Sequence, residues 1–431
     1  MTLHDVSLDD KFDLGKERVF LSGAQAVVRM LLMQRERDRR AGLNTAGFVS
    51  GYRGSPLGGL DIQLWKTRQR LAASNIVFQP GLNEELAATA CWGSQQAELL
   101  GEGRYDGVFS VWYGKGPGVD RSGDVFRHAN LAGSSRHGGV LALMGDDHMA
   151  ESSTNAHATE FAFVDAMIPI LNPAGVQEII DYGLYGFALS RFAGTWGAIK
   201  CVKDNIESTA SVDVSLDRLS IVVPEFDMPP GGLNIRNELD IMGQEERLHE
   251  HKRAAAAAFI RANGLNRIVY SGGANARLGI VTVGKSYLDV RQALDDLGID
   301  EAAANRLGVR LMKVGCPWPL DSEHVVDFAR GLHTVVVVEE KRSLIESQLR
   351  ENLYGSAIQP VIVGKKDERG NWLFPAKGAL DPNDIAIALG ERILSTIGPS
   401  EEIAARVSRL RQFQEMLAQT QDIGVRPPYF C

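Results

Sequence analysis

An α/β protein made of two parallel-sheet domains is what this sequence predicts, and three observations predict it. Short β-branched runs alternate with longer helical patterns from Gly47 to Val202, the same alternation restarts near residue 265, and a stretch carrying Pro-Pro-Gly-Gly separates the two. Alternation of this kind marks strands laid parallel under crossover helices. The length agrees, because 431 residues exceed one ordinary core and fit two or three domains.

In the first domain "GFVSGY" (47–52), "GVFSVWY" (107–113), "GGVLALMGD" (138–146) and "WGAIKCV" (196–202) read as strands. "NEELAATACWGSQQAELLGEG" (83–103) is rich in Ala, Leu, Glu and Gln and predicts a helix ended by glycine, and 175–193 predicts another. Residues 204–242 have little helical period and read as a linker. The helix expected next, 244–264, contains a polyalanine run that suits helix propensity. In the second domain, 278–298 reads as strand then helix, 308–315 as a strand, and 333–353 as strand then helix. A polar helix with an acidic first turn is expected over 399–421.

Composition removes several function classes. With 46 Lys+Arg against 54 Asp+Glu the formal net charge is −8, which disfavours nucleic acid or an anionic membrane surface as a partner. The charged N-terminus lacks the apolar core of a signal peptide, and no apolar run reaches membrane-spanning length, so a soluble, cytoplasmic protein is expected. Cys91, Cys201, Cys316 and Cys431 are widely separated, with no CxxC pair, and indicate neither a zinc site nor a disulfide framework.

Five stretches could carry chemistry. The glycine-rich loop 51–59 follows a strand but matches neither GxGxxG nor GxxxxGK[ST], so a turn is the simpler reading of its glycines; Arg53 and Ser55 nonetheless place a cation and a hydroxyl where α/β folds bind ligands. "MGDDH" (144–148), with Asn172 downstream, is an imperfect version of a magnesium-diphosphate motif, since Asp147 stands where its second glycine belongs and Pro173 follows the Asn; it reads as a strand end followed by an ordinary loop, with a metal site of Asp146, Asp147 and His148 as the alternative. The polar loop 145–163, with His148 and His157, has the look of an active-site loop or of a solvated surface. Lys115, Arg121 and Arg127 lie among turn residues in 110–133 and would suit an anionic ligand. Asn83 followed by Glu84 and Glu85 is, on its own, a capped helix start with carboxylates on the dipole.

Taken together, "GYRGSP" after the first strand, "NEELAATACWG" opening the next long helix, "GDDHMAESSTNAHATEFAF" with "IPILNP", and "GIVTVGKSYLDV" in the second domain resemble the indolepyruvate:ferredoxin oxidoreductases. These belong to the thiamine-diphosphate-dependent 2-oxoacid:ferredoxin oxidoreductases, and the likeness runs from about residue 15 to the end. The resemblance implies a thiamine pyrimidine-binding-like fold over 1–203, a linker and helix over 204–264, a transketolase C-terminal-like fold over 265–395, and a helix and junction over 396–431. It implies that Glu84, with Glu85 as fallback, bonds N1′ of the aminopyrimidine, whose 4′-imino nitrogen then takes the proton from the thiazolium carbon. Tyr52, Gly54 and Lys115 are implied beside the cofactor, with Asp120 in the same segment as Lys115, and Ser55 and His148 on the substrate side; Arg53, next to Ser55, is a substrate-side candidate without a counterpart in the family.

The implied reaction is oxidative decarboxylation of an aryl pyruvate, with the acyl group passing to coenzyme A and the electrons through iron–sulfur clusters to ferredoxin. A homo-oligomer with further domains or subunits is also implied. Two departures stand out. The chain lacks the Gly-Asp-Gly magnesium motif and a cluster-ligating cysteine set, and it ends at Cys431 where relatives continue into a cysteine motif. A fragment holding half a thiamine diphosphate site and inactive alone is therefore expected, with magnesium and the clusters in the missing region. The alternatives are a β-subunit-like half of a 2-oxoacid dehydrogenase or transketolase relative, and a non-catalytic assembly module.

Overall fold

The computed structural model describes residues 7–153, 155–237 and 240–419, and it divides the chain into two compact units. The first unit is Met1–Asp147 with His157–Asn263, and the second is His148–Ala156 with Gly264–Cys431. The expected junction at Cys431 lies outside the described residues.

In the first unit the strands are β1 (Arg18–Ser22), β2 (Thr45–Gly51), β3 (Ile76–Phe78), β4 (Gly107–Lys115), β5 (Val140–Gly145), β6 (Ile170–Leu171), β7 (Gly197–Cys201) and β8 (Thr209–Asp213). Six of them form one sheet in the order β3-β2-β4-β5-β7-β6, and every pairing is parallel. All of β5 and β7 is buried, as expected of strands covered on both faces. The helices Gly23–Arg40 and Val176–Ala193 pack on the sheet and on each other. Their close approach needs Gly183, where a Cβ would stand 2.6 Å from Cγ of Met30. The first of these helices starts on a reciprocal cap between Ser22 and Gln25 and is not among the elements predicted from sequence.

Residues 204–264, expected to link two domains, instead pack with the first unit as far as Asn263. Strand β8 pairs antiparallel with β1, Asn234 donates to the carbonyls of Ser134 and Arg191, and Leu233 is buried. The polyalanine run also has a packing role. Ala255 and Ala256 are fully buried with Ala193 and Leu233 beside Phe192 and Phe226, so small side chains let this helix come close.

The second unit holds β9 (Asn266–Tyr270), β10 (Leu278–Val283), β11 (Val309–Val314), β12 (Thr334–Val338) and β13 (Val361–Val363), ordered β13-β12-β10-β11-β9. The sheet is parallel except for β9, an antiparallel edge strand that the sequence reading omits. Successive residues feed opposite faces. Ile280, Val336 and Val338 pack with Leu294, Leu389 and Val407 on one side; Val281, Val335 and Val337 pack with Phe328, Ile345 and Leu349 on the other. The tail helix, Glu401–Gln419, buries Ile403 and Val407 in the first of these cores, so it is part of the unit and does not stand apart from 265–395.

Candidate functional site

The carboxyl edge of the six-stranded sheet gathers most of the predicted site. β2 ends at Gly51, where a Cβ would stand 2.2 Å from the carbonyl oxygen of Tyr113, so only glycine fits beside β4. The chain then turns through Tyr52–Leu57, with the Tyr52 amide donating to that same carbonyl at 3.1 Å. Tyr52 and Arg53 are exposed, and Gly54 and Ser55 half-buried. Gly54 lies against Lys115 at the end of β4, since a Cβ there would be 3.1 Å from the lysine Cβ.

Glu84 is the first residue of the helix Glu84–Ser94, whose start is capped by Asn83 accepting from the Leu86 amide at 2.8 Å. The indole N–H of Trp112 on β4 donates to the Glu84 carbonyl at 2.8 Å and fixes this turn to the sheet. The side chain of Glu84 runs over the short helix Gly116–Arg121. A Cβ on Gly118 would stand 2.4 Å from its Cγ and 2.7 Å from its Oε1, and one on Gly114 would be 3.3 Å from its Cγ. Two glycines thus make a cradle for one half-buried carboxyl group, while Glu85 is exposed. The structure separates two candidates that the sequence leaves side by side. The predicted helix over 83–103 is shorter than expected, and Gln95 just beyond its end turns inward to donate to the Val108 carbonyl and accept from the Ser135 and Gly139 amides.

Further groups join this edge without a sequence motif to announce them. The His157 ring packs on Gly116, where a Cβ would lie 2.4 Å from two ring carbons, and its amide donates to the Asp147 carbonyl at 3.0 Å. The Tyr113 hydroxyl donates to Asp61 at 2.7 Å; burial first, and then that carboxylate, push the phenol pKa up.

"MGDDH" closes on itself. Asp146 is buried and accepts from the Thr159 amide at 3.0 Å and hydroxyl at 2.9 Å, with Lys200 Nζ at 3.6 Å and also paired to Glu160. Burial raises the Asp146 pKa against the opposing pull of Lys200. Among the described residues no group of three or more His, Cys, Asp or Glu could hold a metal ion. His148 belongs to the second unit, where its carbonyl accepts from Lys341, so no single unit brings it together with Glu84. Arg127 pairs with Asp165 on the surface, and Arg121 and Asp120 are exposed. Cys91, Cys201 and Cys316 are buried and not in disulfides, and burial pushes the first two up in pKa.

Residues 268–417, all within the second unit's main segment, match the family model of the indolepyruvate oxidoreductase domain. The resemblance is to the indolepyruvate oxidoreductases. Indolepyruvate oxidoreductase subunit IorA of Pyrococcus abyssi is 26% identical over 97% of this chain and 58% of its own length. The chain spans about half the length of the curated relatives it matches. Among solved structures, a 2-oxoglutarate:ferredoxin oxidoreductase from Magnetococcus marinus superposes with a TM-score of 0.62 and 15% identity, covering 88% of this chain and 66% of that one. A split-gene transketolase described as an inactive β4 tetramer gives 0.50 and 15%, covering 88% and 99%. Both likenesses concern the fold alone, a parallel α/β unit followed by a transketolase C-terminal-like one.

Proposed function

We propose that this chain is the pyrimidine-binding and coupling part of a 2-oxoacid:ferredoxin oxidoreductase subunit acting on aryl pyruvates. The observation that carries the proposal is Glu84, a half-buried carboxyl group at a helix start, held over Gly114 and Gly118. The names of the relatives support the reaction class, and the two-unit α/β order supports the fold.

The residues present fit one side of thiamine diphosphate. Glu84 would hold the aminopyrimidine ring through a proton shared with its carboxyl group, and a Cβ on Gly118 would fill the space that the carboxyl needs. Bound thiamine diphosphate supplies a carbon nucleophile and an electron sink for decarboxylation. Glu84 positions a proton for that chemistry, and Trp112, by fixing the first helical turn, holds the carboxyl in register. Tyr52, Gly54 and Lys115 are proposed to wall the cofactor, and Ser55 and Arg53 to meet the 2-oxoacid. His148 is proposed for the substrate as well, contributed by the segment His148–Ala156. Magnesium and iron–sulfur ligands are proposed to lie outside the described residues, whose donor sets do not fit them. Coenzyme A and ferredoxin would then be partners of the complete enzyme, in an assembly with its remaining domains or subunits.

The test is Glu84→Gln in the complete oxidoreductase, scored as arylpyruvate-dependent ferredoxin reduction. Loss of proton positioning should lower turnover about 100-fold or more without unfolding the protein. Undiminished turnover sinks the assignment.

A further inference from the structure

We propose that the second unit carries a nucleotide-binding groove at the carboxyl ends of β12 and β13, with Trp372 as the platform for the base and Lys366 and Arg342 as the phosphate-binding cations. The groove encloses ≈ 670 Å³ and is lined by Lys341, Arg342, Glu346, Lys365, Lys366 and Trp372 among others. It lies where open α/β sheets hold their ligands, beyond the carboxyl ends of parallel strands.

Its charge is unbalanced toward the positive. The carboxylates nearby are engaged within the fold. Glu346 accepts from the Ser343 hydroxyl at 2.9 Å, the Lys365 amide at 3.0 Å and Arg350 at 2.6 Å. Asp367 accepts from the Arg369 and Asn371 amides at 2.9 and 2.8 Å, and Glu368 pairs with Arg392. Lys365 directs its ammonium to the backbone carbonyl of Glu339 and lies in the field of the Glu339, Glu340 and Glu346 carboxylates, whereas Lys366 has no carboxylate within ion-pair reach among the described residues.

Trp372 is 63% exposed, so its indole is open to a stacking partner. Its backbone is also held in place. Lys366 and Trp372 face each other across a short hairpin held by the Asp367 amide on the Asn371 carbonyl and the Leu373 amide on the Lys365 carbonyl, each at 2.9 Å. The Lys366 ammonium stands 5.4 Å from the indole centroid. A fixed aromatic face beside an unpaired cation is what a phosphorylated aromatic base recognises by stacking and charge together. Lys341, at the end of β12, adds a non-glycine residue in the left-handed region, φ 56°, the kind of strained backbone that collects at binding sites.

The ligand class is an aromatic base bearing at least two phosphate charges, either as a free nucleoside diphosphate or as the 3′-phosphorylated nucleotide end of a larger cofactor. The groove lies wholly within the second unit, so it stands or falls apart from the role of Glu84.

Titration calorimetry on the 431-residue chain at low salt, with ADP, adenosine 3′,5′-bisphosphate, pyrophosphate and adenosine, decides it. At least one of the two nucleotides should bind more tightly than pyrophosphate, and the tighter one names the source. Trp372→Ala should weaken that nucleotide about tenfold and leave pyrophosphate unchanged. Lys366→Ala should weaken both, with recovery in Lys366→Arg. Both side chains are exposed, so thermal melting should match the parent protein. No nucleotide binding at millimolar concentration, or binding that neither variant moves, overturns the proposal.

Discussion

At the scale of single residues, the decisive contact is between Gly118 and Glu84. A methyl group on Gly118 would meet the Glu84 side chain, which can swing aside. Gly118→Ala should therefore displace the carboxyl rather than unfold the helix. In the complete enzyme we expect turnover to fall at least about tenfold, because small misplacements of a positioned group are expensive. The melting temperature should move by only a few degrees; unchanged ferredoxin reduction would show that the carboxyl position is irrelevant. Asn83 was legible in the sequence as a cap, because Asn before two carboxylates has a local meaning. The resemblance put Glu84 ahead of Glu85, but the residues alone did not rank them. Adjacent helical residues differ by about 100° in direction, and only the approach of Gly118 selects one. His157 was visible as part of a polar loop, but its packing on Gly116 was not, since that partner comes from another loop.

At the scale of elements, the segment Ile241–Ala262 departs from a uniform helix. It contains a π-helical stretch, Arg247–Lys252, before the α-helix Arg253–Ala262. Its last residue, Lys252, is buried and donates to the carbonyls of Asn130 and Leu131, both at 3.3 Å. Burial, with Arg236 and Arg247 adding repulsion, pushes its pKa down from 10.5 to about 7. Between those values the unfolded chain holds more protons, so stability should rise with pH from about 7 to 10.5 and flatten below. The slope is at most about 1.4 kcal/mol per pH unit. Urea denaturation across this range should record the slope in the parent protein. It should also find Lys252→Met more stable at pH 7 and flatter; an equal slope in the variant would refute this account. Helix propensity does not distinguish α from π turns, which is why the sequence reads as one helix. Strand β8 escaped for a different reason, because its partner β1 lies nearly two hundred residues earlier. The edge strand β9, with Arg267 and Ile268 exposed, lacks the continuous apolar run that made β5 and β12 readable.

At the scale of the whole molecule, the two-unit α/β plan was legible from the restart of alternation after residue 265, whereas the limits of the units were not. Linker composition over 204–242 pointed to a boundary that long-range pairing overrides. If the chain holds only the pyrimidine side of a cofactor site, calorimetry with thiamine diphosphate and magnesium should detect no binding tighter than millimolar. A micromolar dissociation constant would contradict the half-site. Among the described residues no helix is long and apolar enough to cross a membrane.

The assignment of His148–Ala156 to the second unit has a consequence for recombination. The polypeptide crosses between units three times, after Asp147, after Ala156 and after Asn263, and the Lys341 contact to the His148 carbonyl is one of the bonds that ties the inserted segment in. A chimera joined at a single point near residue 264 would pair the second unit of one parent with the nine-residue insert of another. Exchanging whole units between relatives therefore requires two grafts inherited together, and shuffled libraries should recover active members mainly where both pieces share an origin.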